Sequence, residues 1–365
     1  MTSPRLEIDL GKIEHNARYL VARLAKSGIS VTAVTKSILG DHEIAAALLE
    51  SGVKALGDSR VENIEGMRRG GIRSEIALIR TPMLSQVDRV VRQADISFNS
   101  ELDVIAALSS AALKLNKTHG VLLMVELGDL REGIMPDDML RTIELMLGLP
   151  NIVFKGIGTN LACLSGISPA EENMTEMSEL ADSIDAKFGP ITDIVSGGNS
   201  ANIEWVLSGA ETGRINNLRL GEAILFGREA LHRQLIVGLH QDAIELVAEV
   251  IEVKTKPSLP WGVIAQNAFG EVNKACDQGM ISRVIVAIGR QDIDLTGLRP
   301  PAGYKIIGAS SDHLVLDVGG HHVCVGDEIK FEINYSAFLR AMTSPFVGQV
   351  LVPQANPNYS STPCM

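Results

Sequence analysis

Val31-Thr32-Ala33-Val34-Thr35-Lys36-Ser37 is an apolar, β-branched run that ends on a single lysine. It has almost no polar relief, and a helix-patterned segment at residues 41–51 follows at once, so it reads as a buried parallel strand. Lys36 then stands at the strand's C-terminal edge. In parallel α/β architectures that edge carries the chemistry, and desolvation there pulls an ammonium toward the neutral amine that imine formation requires. Taken alone, a strand-end lysine is more often a surface residue laying its stem on apolar neighbours. The segments on either side shift that balance.

Upstream, residues 6–9 form a short strand pattern, and residues 10–26 carry the helical stripe Ile13, Ala17, Leu20, Val21 and Leu24. Downstream, strand patterns at 29–36, 53–59, 75–81, 95–99, 120–127, 152–160, 193–196 and 215–219 alternate with helix patterns. The helices fall at 41–51, 61–69, 85–93, 101–115, 137–147, 170–188, 201–207 and 221–231. Gly52 and Gly70-Gly71 stop helices, and Pro136 opens one where a missing N–H costs nothing. Eight strands alternating with eight helices predict an α/β protein built on a (β/α)8 TIM barrel, filling residues 10–233. After Gln234 the pattern changes to strand-like runs at 243–253, 281–288, 305–307, 314–318 and 328–333, broken by Gly and Pro turns. Residues 1–9 plus 234–365 therefore make a second, mostly-β domain, with a polar, Pro-rich tail after Pro353 that is expected to be loosely held.

The composition narrows the function. With 365 residues, 45% of them hydrophobic and 21% charged, the chain is globular, and no window reaches the ~18 apolar residues of a membrane span. The first residues lack a secretory pattern, so the expectation is a cytoplasmic protein with no membrane partner. A net charge of −11 argues against nucleic acid and for a small-molecule substrate. Cys163, Cys276, Cys324 and Cys364 are far apart and form no C-x-x-C pair, so they read as reduced thiols. His321, His322 and Cys324 cluster in a strand-like run at 314–325, where alternation would send the two histidines to opposite faces, and no metal site is expected.

In a barrel the polar residues at strand ends converge on one mouth. Here they are Lys36, Asp58-Ser59-Arg60, Arg80, Asn99, Glu126, Asn160, Ser196 to Ser200, and Arg219. Ser196-Gly197-Gly198-Asn199-Ser200 is a glycine-rich strand-to-helix turn, and Arg219-Leu220-Gly221-Glu222 brings a second helix start to the same rim. Both suit a phosphate monoester, although Gly197-Gly198 could also serve a tight turn alone. A phosphate site plus one strand-end lysine suggests pyridoxal phosphate, whose aldehyde needs an amine and whose tail needs an anion hole.

Several segments carry a resemblance: AVTKS around Lys36, GTNLACLSG around Asn160, SGGNSANIE around Ser200, LRLGEAILFGRE around Arg219, AIGRQDID around Asp292, and NYSAFLRAMTSP around Tyr335. Over nearly its whole length the chain resembles the fold-type III pyridoxal-phosphate enzymes, the alanine racemase superfamily, and most of all its alanine/ornithine racemase group. The resemblance implies a homodimeric isomerase, with the active site at the subunit interface, that interconverts L- and D-amino acids by Cα proton abstraction through an external aldimine. It implies that Lys36 binds the cofactor aldehyde and acts as one acid/base group, and that Arg219 faces the pyridine nitrogen. Ser200, the backbone of Gly221 and Glu222, and Tyr335 fall on the family's phosphate-binding positions. Arg131 aligns with the arginine near the cofactor hydroxyl. Asn160 stands where alanine racemases usually have a histidine beside the ring.

One departure is larger. Alanine racemases draw a second base, a tyrosine in a Ser-Tyr-Gly segment, from the partner subunit. Here Lys256-Pro257-Ser258-Leu259-Pro260-Trp261-Gly262 runs in its place. Ser258, Asp292, Asp312 and His313 are the candidates for substrate contact or for the opposite-face proton carrier, and each could equally be a turn or capping residue. Asp292, Asp294 and Asp312 could pair with a side-chain ammonium, so a larger or basic substrate such as ornithine or lysine is expected. Two alternatives remain. One is a non-catalytic pyridoxal-phosphate homeostasis protein, suggested by Gly57-Asp58-Ser59-Arg60-Val61-Glu62-Asn63. The other is a metal-assisted D-threonine-type aldolase, suggested by His313, His321 and His322.

Overall fold

The computed structural model describes residues 3–272 and 277–352, and these divide into two compact units. Cys276, Cys364 and the tail after Pro353 lie outside the described residues.

Gly11–Gln241 forms the first unit. After β1 (Arg5–Asp9), which belongs to the other unit, the chain enters α1 (Leu10–Ala25), whose stripe buries Ile13, Ala17, Leu20 and Leu24. Eight parallel strands follow: β2 (Ser30–Val34), β3 (Ala55–Asp58), β4 (Ile76–Leu78), β5 (Ile96–Asn99), β6 (His119–Val125), β7 (Ile152–Thr159), β8 (Ile194–Ser196) and β9 (Asn217–Leu220). They close into a barrel in sequence order, with Thr32 opposite Arg219 where β2 meets β9. The intervening helices are α2 (His42–Glu50), α3 (Val61–Arg69), α4 (Val87–Gln93), α5 (Leu102–Lys114), α6 (Pro136–Leu147), α7 (Glu171–Phe188), α8 (Ile203–Leu207) and α9 (Glu222–Phe226). The expected (β/α)8 barrel is therefore present.

Continuous apolar runs serve strands that are covered on both sides: all seven residues of β6 are buried. Ala77, Ile96, Phe98, Leu122 and Met124 form one packed cluster with Ile79 and Ile194 against it, each large side chain contributing about 1.5–3 kcal/mol when fully buried. Some elements are shorter than their patterns. The helix expected at 221–231 stops after Phe226, because Gly227 turns left-handed at φ 61°. The one expected at 201–207 opens with a 3-10 turn over Ser200–Asn202. This unit also runs to Gln241, past the boundary expected after Arg233. Asn16 in α1 holds that extension, donating to the carbonyls of Ile224 and His240 at 2.9 and 2.8 Å and accepting the His240 N–H at 2.7 Å.

The second unit, the described residues up to Leu10 and from Asp242 onward, is mostly antiparallel β. It contains β10 (Ile244–Pro257), β11 (Met280–Val286), β12 (Leu298–Arg299), β13 (Lys305–Ala309), β14 (Leu314–Asp317), β15 (Glu328–Ile333), α10 (Tyr335–Thr343) and β16 (Gly348–Val352). The strand order is β12-β15-β10-β11-β14-β13, with β1 paired to both β10 and β16. A bulge between Val250 and Glu252 hands β10 from β15 to β11. The run expected as a strand to Val325 ends at Asp317, so His321, His322 and Cys324 lie in a connecting loop. Among the described residues no helix is long and apolar enough to cross a membrane.

Candidate active site

β2 ends at Val34, and Thr35 leads into a 3-10 turn over Lys36–Ile38, which sets Lys36 at the barrel's C-terminal mouth. The turn is held from the neighbouring strand. The Thr35 N–H donates to the Gly57 carbonyl at 2.9 Å, and the Thr35 hydroxyl donates to the Asp58 carboxylate at 2.7 Å. Asp58, fully buried at the end of β3, also accepts the Arg60 N–H at 2.9 Å and the Asn63 amide at 3.1 Å. Burial raises the Asp58 pKa while these hydrogen bonds oppose the rise. The Lys36 pKa is lowered, first by desolvation and then by the positive charges of Arg131 and Arg219, with Cys163 and Asp58 acting the other way. Solvent reaches the Lys36 side chain, so this desolvation is partial.

Arg219, in β9, is 3% exposed. Its guanidinium donates to the Thr159 carbonyl and to the Asn160 amide oxygen, both at 2.6 Å, and to the Ser196 hydroxyl; it also lies 5.2 Å from the Phe98 ring centroid. Burial pushes its pKa down to about 10, so it remains a cation at neutral pH. The network continues outward. The Asn160 amide N–H donates to Glu132 at 3.0 Å, and Glu132 accepts from Arg131 on both carboxylate oxygens. Lys36, Arg219, Asn160 and Arg131, named from the sequence, thus share one mouth.

Two further carboxylates shape the loops there. Glu126 accepts the N–H groups of Gly128, Leu130 and Arg131 at 2.7, 2.9 and 3.2 Å. Buried Asp129 accepts those of Cys163, Leu164 and Ser165, at 3.2, 3.0 and 3.0 Å, and so joins the loop after β6 to the loop after β7. Leu130 and Ala162, at φ 53° and 56°, hold the left-handed backbone in these loops, a strained conformation that recurs at functional sites.

The glycine-rich turn after β8 is a built feature. Gly198 has φ 146°, and a Cβ there would collide with the Asn202 side chain, whose amide oxygen accepts the Asn199 N–H at 3.0 Å. The buried Ser200 hydroxyl accepts the Ala223 N–H at 3.2 Å, which ties this turn to the start of α9 and leaves the hydroxyl proton for another acceptor. Gly221 precedes α9 and approaches Val34, and the Glu222 carboxylate is paired with Arg233. An amine at Lys36, N–H groups at the opening of α9, a hydroxyl proton and a permanent cation fit the aldehyde, phosphate and ring nitrogen of pyridoxal phosphate.

The remaining predicted residues lie in the β unit. Tyr335 is the first residue of α10 and is half-buried. Ser258 is buried, donating to Asp277 at 3.1 Å and accepting the Gln278 N–H at 2.7 Å, so it ties the chain between β10 and β11. Asp292 is buried and accepts the Ser344 hydroxyl at 2.7 Å. Asp312 and His313 form an exposed pair at 2.7 Å, and the imidazole holds the Asp312 carboxyl below its ordinary pKa. Asn99, expected at the mouth, is fully buried and turns its amide back onto Ser97 at 2.8 Å. Among the described residues no three His, Cys, Asp or Glu side chains converge as a metal site. The sequence reading missed Glu132 and Asp129, although both sit among the polar residues of a glycine-bounded loop beside Arg131.

The comparisons agree with this geometry. The family model described as alanine racemase, N-terminal domain, matches residues 8–229. An ornithine racemase of Acetoanaerobium sticklandii is 40% identical over 353 residues, covering 96% of this chain and 99% of that protein. A lysine racemase of Thermotoga maritima is 39% identical over 355 residues, covering 97% and 99%. In fold, an alanine racemase structure from Clostridium difficile 630 superposes with a TM-score of 0.76 at 19% identity, covering 97% of each chain. The barrel with its mouth network, the antiparallel β unit and the full-length likeness together place the chain in the alanine racemase family.

Proposed function

We propose that this protein is a pyridoxal 5'-phosphate-dependent racemase that interconverts the L and D forms of a basic amino acid, ornithine or lysine. The observation that carries the reading is end-to-end likeness, at 40% and 39% identity, to two racemases named for those substrates. The cofactor, when bound, draws electrons from the substrate Cα–H bond. The chain's own residues do the rest. Lys36 would hold the cofactor and move a proton at Cα, a role that suits an amine whose pKa is lowered at the mouth. Arg219 would face the ring nitrogen and, staying protonated, would hydrogen-bond it without surrendering a proton, an arrangement that favours proton return at Cα over decarboxylation or transamination. The Ser200 hydroxyl and the N–H groups of Gly221 and Glu222 would hold the phosphate, and Arg131 would meet the cofactor hydroxyl.

Inversion needs a second proton carrier on the far side of Cα. Of the four side chains considered, Ser258 and Asp292 are buried and hydrogen-bonded, whereas Asp312 and His313 stay exposed. We infer a homodimer with its active site at the subunit interface. The exposed apolar side chains Trp261, Val263, Ile264 and Phe269, between β10 and β11, support the dimer. Exposed free thiols at Cys163 and Cys324 support a reducing, cytoplasmic setting.

Chiral chromatography after incubation with single L-amino acids tests the activity. Ornithine or lysine should be inverted faster than alanine or serine, and inversion of none of the four would overturn the reading. Lys36→Ala should abolish the visible absorbance of bound cofactor and cut turnover by at least about 10³-fold.

A further inference from the structure

The carboxylates at the barrel mouth do different work. Glu126 and Asp129 accept backbone N–H groups and so shape loops, and Asp58 anchors the turn that carries Lys36. Glu132 instead addresses side chains. It accepts from the Arg131 guanidinium with both oxygens and from the Asn160 amide at 3.0 Å. An asparagine amide has one donor end and one acceptor end. Because Glu132 takes the donor end, the acceptor end faces the Arg219 guanidinium, at 2.6 Å. The reversed amide would set N–H against guanidinium N–H and oxygen against carboxylate, two repulsive contacts in a partly desolvated place.

We propose that Glu132 is the positioning residue of this site, fixing Arg131 directly and Arg219 through Asn160, so that one carboxylate holds both guanidinium groups that address the cofactor ring. The inference rests on the racemase reading above. It assigns Glu132 no contact with substrate or cofactor. Without it, Asn160 loses one of the two contacts that orient its amide, and Arg131, whose side chain is already 38% exposed, loses the carboxylate that pairs with it at the mouth.

The test uses the full-length enzyme loaded with pyridoxal phosphate. Glu132→Leu should lower kcat on the order of 10²-fold with a smaller change in KM, as expected when reacting groups are misplaced and binding is retained. The visible absorbance of the bound cofactor should also titrate at higher pH, because Arg131, whose positive charge lowers the Lys36 pKa, is no longer held beside it; Arg219 acts in the same direction as Arg131, and Cys163 and Asp58 act in the other. Glu132→Gln keeps an oxygen for Asn160 but no charge for Arg131, so it should fall between wild type and Glu132→Leu. It carries the test alone where Glu132→Leu fails to fold. In a double-mutant cycle, Glu132→Leu should cost less in an Asn160→Leu background than in wild type. Wild-type kcat and titration midpoint in the glutamate variants would overturn the positioning role alone. A wild-type protein that takes up no cofactor would overturn the racemase reading on which it stands.

Discussion

Single residues here are set by burial as much as by identity. The place of Lys36 at the barrel mouth was legible because a lone polar residue ending an apolar run has few explanations, and that of Arg219 because it ends a second such run. Glu132 was not, since a glutamate beside an arginine reads as an ordinary surface pair, and its decisive partner, Asn160, is 28 residues away. His119 shows what burial does outside the site. It is 1% exposed at the start of β6, with its Nε2 2.8 Å from the Ser97 hydroxyl, and burial pushes its pKa down to about 4 from 6.5. The folded chain therefore keeps His119 neutral where the unfolded chain has protonated it. The resulting stability is fully present above about pH 6.5, is lost as the pH falls toward 4, and declines no further below that. Urea unfolding across this range should show wild type losing about 3 kcal/mol more than His119→Gln. Superimposable pH profiles would show that His119 titrates alike in both states.

Among the elements, β7 governs what the mouth can present. Val121 pairs with Phe154 but Leu122 pairs with Gly156, so Lys155 is an extra residue and the strand changes phase there. Opposed residues on parallel strands share a face. Gly156 and Gly158 therefore lie on the side of Leu122 and Met124, toward the barrel axis, and continued alternation brings Asn160 to Arg219. Without the bulge those even-numbered residues would follow Phe154 outward. The alternation of strands and helices could be read from apolar runs because both faces of each strand are covered. This phase change could not, although a glycine inside a strand is its ordinary sign. Gly156 has φ 134°, and a Cβ there would collide with the Ile194 backbone on β8. Gly156→Ala should cost about 3 kcal/mol or more and lower Tm by roughly 6–12 °C, with a loss of cofactor affinity as Asn160 shifts. An unchanged Tm by calorimetry would remove the bulge from this account.

For the whole molecule, the division into a barrel and a β unit was visible as a change in pattern after Gln234, but its edge was not. What keeps residues 234–241 with the barrel is Asn16, a polar residue more than 200 positions earlier in the chain. The proposed dimer rests on the apolar surface. Trp261 is 83% exposed, with Val263, Ile264 and Phe269 also open to solvent nearby in the chain, on a protein whose net charge of −11 would otherwise keep copies apart. In a two-fold dimer each such side chain is buried twice. Covering one tryptophan contributes about 2–3 kcal/mol, so losing both copies weakens association by roughly 5 kcal/mol, or on the order of 10³-fold in Kd. On the proposed assembly, Trp261→Glu should therefore sediment as a monomer at concentrations where wild type sediments as a dimer. If the active site is completed by the second copy, its racemase activity should fall and then recover as protein concentration rises. A dimer that survives the substitution unchanged would move the interface elsewhere, and a monomer with full activity would show that each chain carries a complete site.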